Sequence, residues 1–282
     1  MITFKFFRAL NNSPDHNPLF QYIIHRPTVP LPWYVWLIGL LFFGIFMLPI
    51  VLIVYFTFSA TVFGLRWLFD ITGGISTIVK QRRYELLCLT PHGEFGIHWL
   101  IVIAYLHRMG SYQRLNSRGF WVIRGGIVLA IYFYITSQLP EAYIYDGFVM
   151  LKGAVISAIL IGFFVHHYQS ITFCVLAALL IPTYRIERLT DSMSAMAMLI
   201  GAQFVSYSLF LLIDSVALSP LSHALSLSFE SEAIVSIVLH LLTFIAIREV
   251  MIYGLWRMVL RRYDVSQTDA VHLLDGVNRK LV

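Results

Sequence analysis

Several ionisable and imidazole side chains stand inside long apolar runs, where each could do chemistry that water would otherwise mask. Arg124 falls within Gly119 to Leu139, Lys152 near the start of Gly147 to Val165, and Arg248-Glu249 interrupt Ala233 to Trp256. At membrane depth such groups cost several kcal/mol unless paired or hydrated, which makes each a functional candidate. Arg124 and Lys152 lie close enough to span ends to snorkel towards an interface. Arg248 and Glu249 are neighbours on one helix and do not face each other, so separate partners are expected.

Ten histidines are many for a chain with so few polar groups. Neutral imidazole can ligate haem iron, and it can serve the magnesium of chlorophyll-type pigments in the same way. His98, His166, His167 and His240 are the candidate ligands, and Val238-Leu239-His240-Leu241-Leu242 is the cleanest apolar setting. A bis-histidine haem would need two of them facing each other from separate helices. The competing use of a membrane histidine is a hydrogen bond to the next helix. No His-Glu-x-x-His or paired Cys-His spacing occurs, and Cys88 and Cys174 stand far apart among apolar neighbours, so no metal site is expected. No G-x-x-x-x-G-K-[ST] loop is present, so the chain is not expected to hydrolyse nucleotide or to be an enzyme of that kind.

The elements that must position these groups follow from composition. Of 282 residues, 59% are hydrophobic and only 12% charged, against about 25% charged in an ordinary globular domain. Mean hydropathy is +0.76. The apolar runs are continuous rather than alternating, which excludes an outer-membrane barrel and predicts an all-α polytopic transmembrane bundle. Residues 33–65 carry no charge at all, longer than the roughly 20 residues one crossing requires. The net charge of +5 fits Lys and Arg gathered in cytoplasmic loops, not a nucleic-acid partner.

The strongest spans are Trp33 to about Thr57, Gly119 to Leu139, Gly147 to Val165, Met193 to Leu218 and Ala233 to about Trp256. Weaker segments are Phe58 to Ile78, Phe95 to Leu106 and Ile171 to Tyr184; Phe95 to Leu106 is too short to cross and is expected as an interfacial or half-helix. Pro49 is expected to kink the first run, and Gly73-Gly74 to loosen the backbone after it. Residues 1–32 read as an N-terminal interfacial segment, 33–260 as the transmembrane domain and 261–282 as a polar tail.

Residues 80–118 carry Lys80, Arg82, Arg83, Arg108, Arg114 and Arg118 against Glu85 and Glu94, whereas residues 140–151 and 214–247 have acidic groups and no Lys or Arg. The positive-inside rule therefore places 80–118, Arg185 to Arg188 and the C-terminal tail in the cytoplasm. That orientation requires an odd number of crossings between Asp146 and Arg185. Yet His166-His167-Tyr168-Gln169-Ser170 splits this stretch, so either a half-span or a helix interruption is expected. About six spans in the cell (inner) membrane, both ends inside, is the resulting plan.

Between Lys80 and Pro91, basic residues suited to anionic headgroups or an acidic partner alternate with an apolar ridge, Leu86, Leu87 and Leu89. An interfacial helix anchored in lipid explains the pattern, and so does a helix docked in a partner's groove. Arg83-Tyr84-Glu85-Leu86-Leu87-Cys88-Leu89-Thr90-Pro91 resembles the cytoplasmic stretch of type-2 ABC exporter permease subunits, in its Glu-Leu-Leu-x-x-Thr-Pro half. Gln81-Arg82-Arg83 departs from the other half, where that family has Glu and Gly-Thr. The resemblance implies a permease-like, dimeric subunit worked by a separate ATPase subunit, with Arg83, Glu85, Leu86, Leu87, Thr90 and Pro91 touching it. The competing class is a non-catalytic accessory subunit of a larger respiratory or photosynthetic membrane complex, with haem or pigment on histidine. The lipid bilayer and a homo- or hetero-oligomeric assembly are common to both; no cofactor is required by the first.

Overall fold

The computed structural model describes residues 2–11, 17–25, 48–79, 84, 88–89, 93–117, 119–122, 125–126, 129, 147–181, 188–218, 220 and 229–270, with backbone alone at 48–58, 116, 147–152, 188–191 and 229–230. Among these residues the chain is helical apart from short turns, and there is no strand. The helices are α1 (Ile2–Asn11), α2 (Pro18–Ile24), α3 (Leu48–Val79), α4 (Gly93–Arg108), α5 (Gly110–Asn116), α6 (Gly147–Leu180), α7 (Arg188–Ile213) and α8 (Phe229–Arg262). α7 continues into a π-helical turn, Asp214–Leu218.

Four of these helices are long and apolar enough to cross a membrane, over Ser59–Val79, Gly153–Leu180, Ser192–Leu218 and Ser231–Arg262. α6 and α8 each have 34 residues, about 51 Å at 1.5 Å per residue, more than the roughly 30 Å hydrocarbon core. The first half of Trp33 to Thr57 and most of Gly119 to Leu139 lie outside the described residues.

α6 is the central element, packed chiefly on α8 and α3. It is one unbroken helix, so the sequence from His166 to Ser170 is neither a break nor a loop. These five residues are buried, and so is most of the stretch Val165–Ile181. As one helix it is long and apolar enough to cross a membrane, over Gly153–Leu180. Pro49 stands in the first described turn of α3, and the residues before Leu48 lie outside the described ones. Gly73 and Gly74 continue the same helix; a Cβ at Gly74 would lie 2.2 Å from the Tyr105 ring. Glycine there lets α4 approach α3 closely.

Contacts fix the helix directions. Thr72 meets Ser192, Gly64 meets Leu199 and Thr61 meets Gln203, so α3 runs antiparallel to α7; Ser170 meets Gln203 and His166 meets Tyr207, so α6 does too. Gly162 meets Leu241, Arg248 meets Ser170 and Tyr263 meets Leu179, so α6 and α8 are parallel. α3, α6 and α8 share one direction and α7 opposes them. α4 packs beside the C-terminal parts of α3 and α8, through Tyr105 on Gly74 and Phe95 on Trp256 and Tyr263. Its residues Phe95 to Leu106 are buried throughout. α1 lies on α6 and α8, with Phe6 edge-on to Trp256 at 4.6 Å. Gly153 and Ser157, spaced for close helix approach, face outward.

Candidate functional site

Three polar centres lie along α8. The middle one is Arg248, fully buried. Its Nη1 donates to Gln203 Oε1 at 2.6 Å and its Nη2 to Ser170 Oγ at 3.0 Å. Gln203 Nε2 in turn donates to Ser170 Oγ at 3.2 Å and Thr61 Oγ1 at 3.3 Å. All four spanning helices therefore contribute to one cluster. The guanidinium also stands over the rings of Phe173, Phe244 and Tyr207, at 5.1, 5.5 and 5.9 Å, in reach of the negative faces of their π-systems. Every oxygen bonded to Arg248 is neutral, and its Nε has no hydrogen-bond partner among the described residues.

Glu249 points elsewhere. Its carboxylate accepts from Ile2 N, from Thr3 N at 3.2 Å and from Thr3 Oγ1 at 2.6 Å. A carboxylate on the first N–H groups of a helix meets orphan donors and the positive end of the dipole together. Glu249 thereby fastens α1 to the bundle.

Nearer the C-terminal end of α8, His98 is buried between two tyrosines. Its Nδ1 lies 2.7 Å from Tyr263 Oη and its Nε2 lies 3.0 Å from Tyr84 Oη. Tyr263 donates its own proton to Leu179 O at 3.0 Å, so it can only accept from His98. The ring is therefore the Nδ1–H tautomer, and Nε2 accepts from Tyr84. Outside the four spanning helices, His98 has its pKa pushed down to about 4, chiefly by burial and secondarily by Arg262. It is a neutral relay joining the segment after α3 to the ends of α6 and α8.

Towards the other end of α8, His240 Nε2 faces Asp214 Oδ1 at 2.5 Å, and Nδ1 faces Ser236 O. Nδ1 donates to that carbonyl, and the Nε2 contact ties the end of α7 to α8. The π-helical turn that begins at Asp214 sits on this contact, and such turns often accompany functional sites.

His166 and His167 are buried on α6. His166 Nε2 lies 3.5 Å from Tyr207 Oη, and His167 is edge-on to Trp121 with centroids 5.0 Å apart. Each of the four candidate histidines thus meets a different set of neighbours. Both ring nitrogens of His98 and of His240 are occupied, so ligation there would have to displace a hydrogen bond. Among the described residues no group of three His, Cys, Asp or Glu is placed to hold a metal.

Arg83, Glu85, Leu86, Leu87, Thr90, Pro91 and Arg124 lie outside the described residues, as does the side chain of Lys152. Their neighbours are informative. Tyr84 is buried on His98, with the rings stacked at 5.8 Å, while Leu89 is 81% exposed. Sequence reading missed Gln203, Ser170, Thr61, Tyr84, Tyr263 and the pairing of Asp214. Gln203 had a visible signal, being the lone carboxamide in Met193 to Leu218.

No family model matches the chain, and neither the curated proteins nor the solved structures contain one significantly similar to it.

Proposed function

We propose that this chain is the permease-like membrane subunit of an export complex, worked by a separate ATPase subunit that docks on residues 80–94. The observation that carries the reading is the relay from Tyr84 through His98 and Tyr263 to Leu179. Displacement of the segment after α3 would be passed by short hydrogen bonds to the ends of α6 and α8. Those two helices also hold the Arg248 cluster at mid-bundle. Leu89, exposed beside inward-facing Tyr84, gives the same segment an outward apolar point for a partner.

Six crossings in the cell membrane, with both ends cytoplasmic, suit the helix directions. α3 and α6 are parallel, and we assign the crossing between them to the apolar run from Gly119 to Leu139. A sixth crossing is assigned to the apolar run beginning at Trp33, of which α3 itself takes the part from Leu48. The rival reading, an accessory subunit of a respiratory or photosynthetic complex holding haem or pigment, would have to break existing hydrogen bonds at His98 or His240.

The test is Leu86→Asp with Leu87→Asp, and separately Leu89→Asp, in the full chain. Each should abolish recovery of the ATPase subunit while membrane insertion persists. Unchanged recovery from both variants overturns the docking assignment.

A further inference from the structure

We infer that a hollow at the C-terminal end of α8 holds the phosphate of one anionic phospholipid, whose acyl chains run back along the same helix face. The hollow has a volume of about 290 Å³ and is lined by Arg257, Leu260, Arg261, Asp264, Val265 and Gln267. One water takes up about 30 Å³ of liquid, so a phosphate and its ester oxygens have room. The far wall is a built turn. Val265 N donates to Leu260 O at 3.1 Å and Asp264 N to Arg261 O at 3.4 Å, with Asp264 at a φ of 50°. This is the pattern in which a left-handed residue ends a helix and folds the chain back over its last turn.

Charge and position decide the ligand. Arg257 and Arg261 stand one turn apart and are both exposed, and among the described residues no carboxylate forms an ion pair with either. The Arg257 guanidinium rests over the Tyr253 ring at 4.9 Å, a hold that uses none of its in-plane N–H donors. Two guanidiniums against the single carboxylate of Asp264 leave the lining positive, and guanidinium forks match phosphate oxygens. α8 is long and apolar enough to cross a membrane over Ser231–Arg262, so both arginines fall near the end of that span, at headgroup level. Val250, Gly254, Arg257 and Arg261 share one face of the helix. Val250 is 70% exposed, and a Cβ on Gly254 would meet nothing within 4 Å. An apolar strip, uncovered by the described residues, therefore leads from the hollow towards the middle of the span. Acyl chains would cover that strip and free phosphate would not, which selects the lipid. The inference goes beyond the export reading and does not require it, because it needs only that α8 cross the bilayer.

The full chain, purified in mild detergent, is titrated with dioctanoyl phosphatidylglycerol, dioctanoyl phosphatidylcholine and inorganic phosphate, and binding is followed by native mass spectrometry. Saturable binding of phosphatidylglycerol, tighter than that of phosphatidylcholine, is the expected result. Arg257→Gln and Arg261→Gln should each weaken it about fivefold. Both side chains are exposed, so the variants keep the fold. Asp264→Asn, which tolerates the left-handed backbone, should tighten it. Arg8→Gln, which removes an exposed arginine of α1, should leave it unchanged. Equal affinity for the two lipids overturns the inference, as does inorganic phosphate bound as tightly as phosphatidylglycerol. Affinity unmoved by either arginine variant of α8, or lowered as far by Arg8→Gln, also refutes it.

Discussion

Acidification tests the His98 relay most sharply. Folded His98 has a pKa of about 4, against 6.5 for the free side chain. Between those values the unfolded chain binds a proton that the folded chain does not, so stability rises with pH across this window. The contribution is complete above about pH 6.5 and is lost progressively as pH falls towards 4. Linkage gives a loss of about 2 kcal/mol at pH 5 and about 3 kcal/mol at pH 4. At roughly 2–4 °C per kcal/mol for a chain of this size, the pH 5 loss is about 4–8 °C in unfolding midpoint. The assay compares wild type with His98→Asn in detergent from pH 7.5 to 4. Asn can keep a donor near the Nδ1 position and does not titrate, so the midpoint of the variant should fall less by that amount. Parallel curves for the two proteins would refute the assignment of His98 as a buried neutral relay.

Other perturbations follow from packing. Gly74→Ala should lower stability by about 1–3 kcal/mol, because the new methyl group meets the Tyr105 ring; an unchanged unfolding midpoint would contradict the close approach. Glu249→Gln should loosen α1, seen as faster protease cleavage or hydrogen exchange within residues 2–11, at a cost of about 1–3 kcal/mol. Asp214→Asn should lower the unfolding midpoint, because it removes the carboxylate facing His240 Nε2 between two spanning helices; an unchanged midpoint would contradict the pairing.

The helical membrane class was legible because continuous apolar runs and a scarcity of charge leave few alternatives. Helix continuity was harder. His166 to Ser170 interrupts the hydropathy of α6, and polarity along one dimension cannot distinguish a loop from a helix face turned towards polar neighbours. Ser170 meets Arg248 and Gln203, and Gln169 donates to Ile245 O. That partnership exists only in the register of α6 against α7 and α8. Arg248 stands out by its residue type alone, whereas its partners lie 45 and 78 positions away in the chain. Nothing in the local pattern sets Tyr84 apart, because its partner His98 is brought to it only by the packing of α4.

Whether a separate ATPase subunit drives this chain is tested by purifying it from its native membrane in mild detergent and identifying what accompanies it by mass spectrometry. An ATPase subunit in stoichiometric amount, lost from the Leu89→Asp protein, is the expected result. Electron-transfer or light-harvesting subunits, with no ATPase and with a Soret or red absorption band, would contradict it.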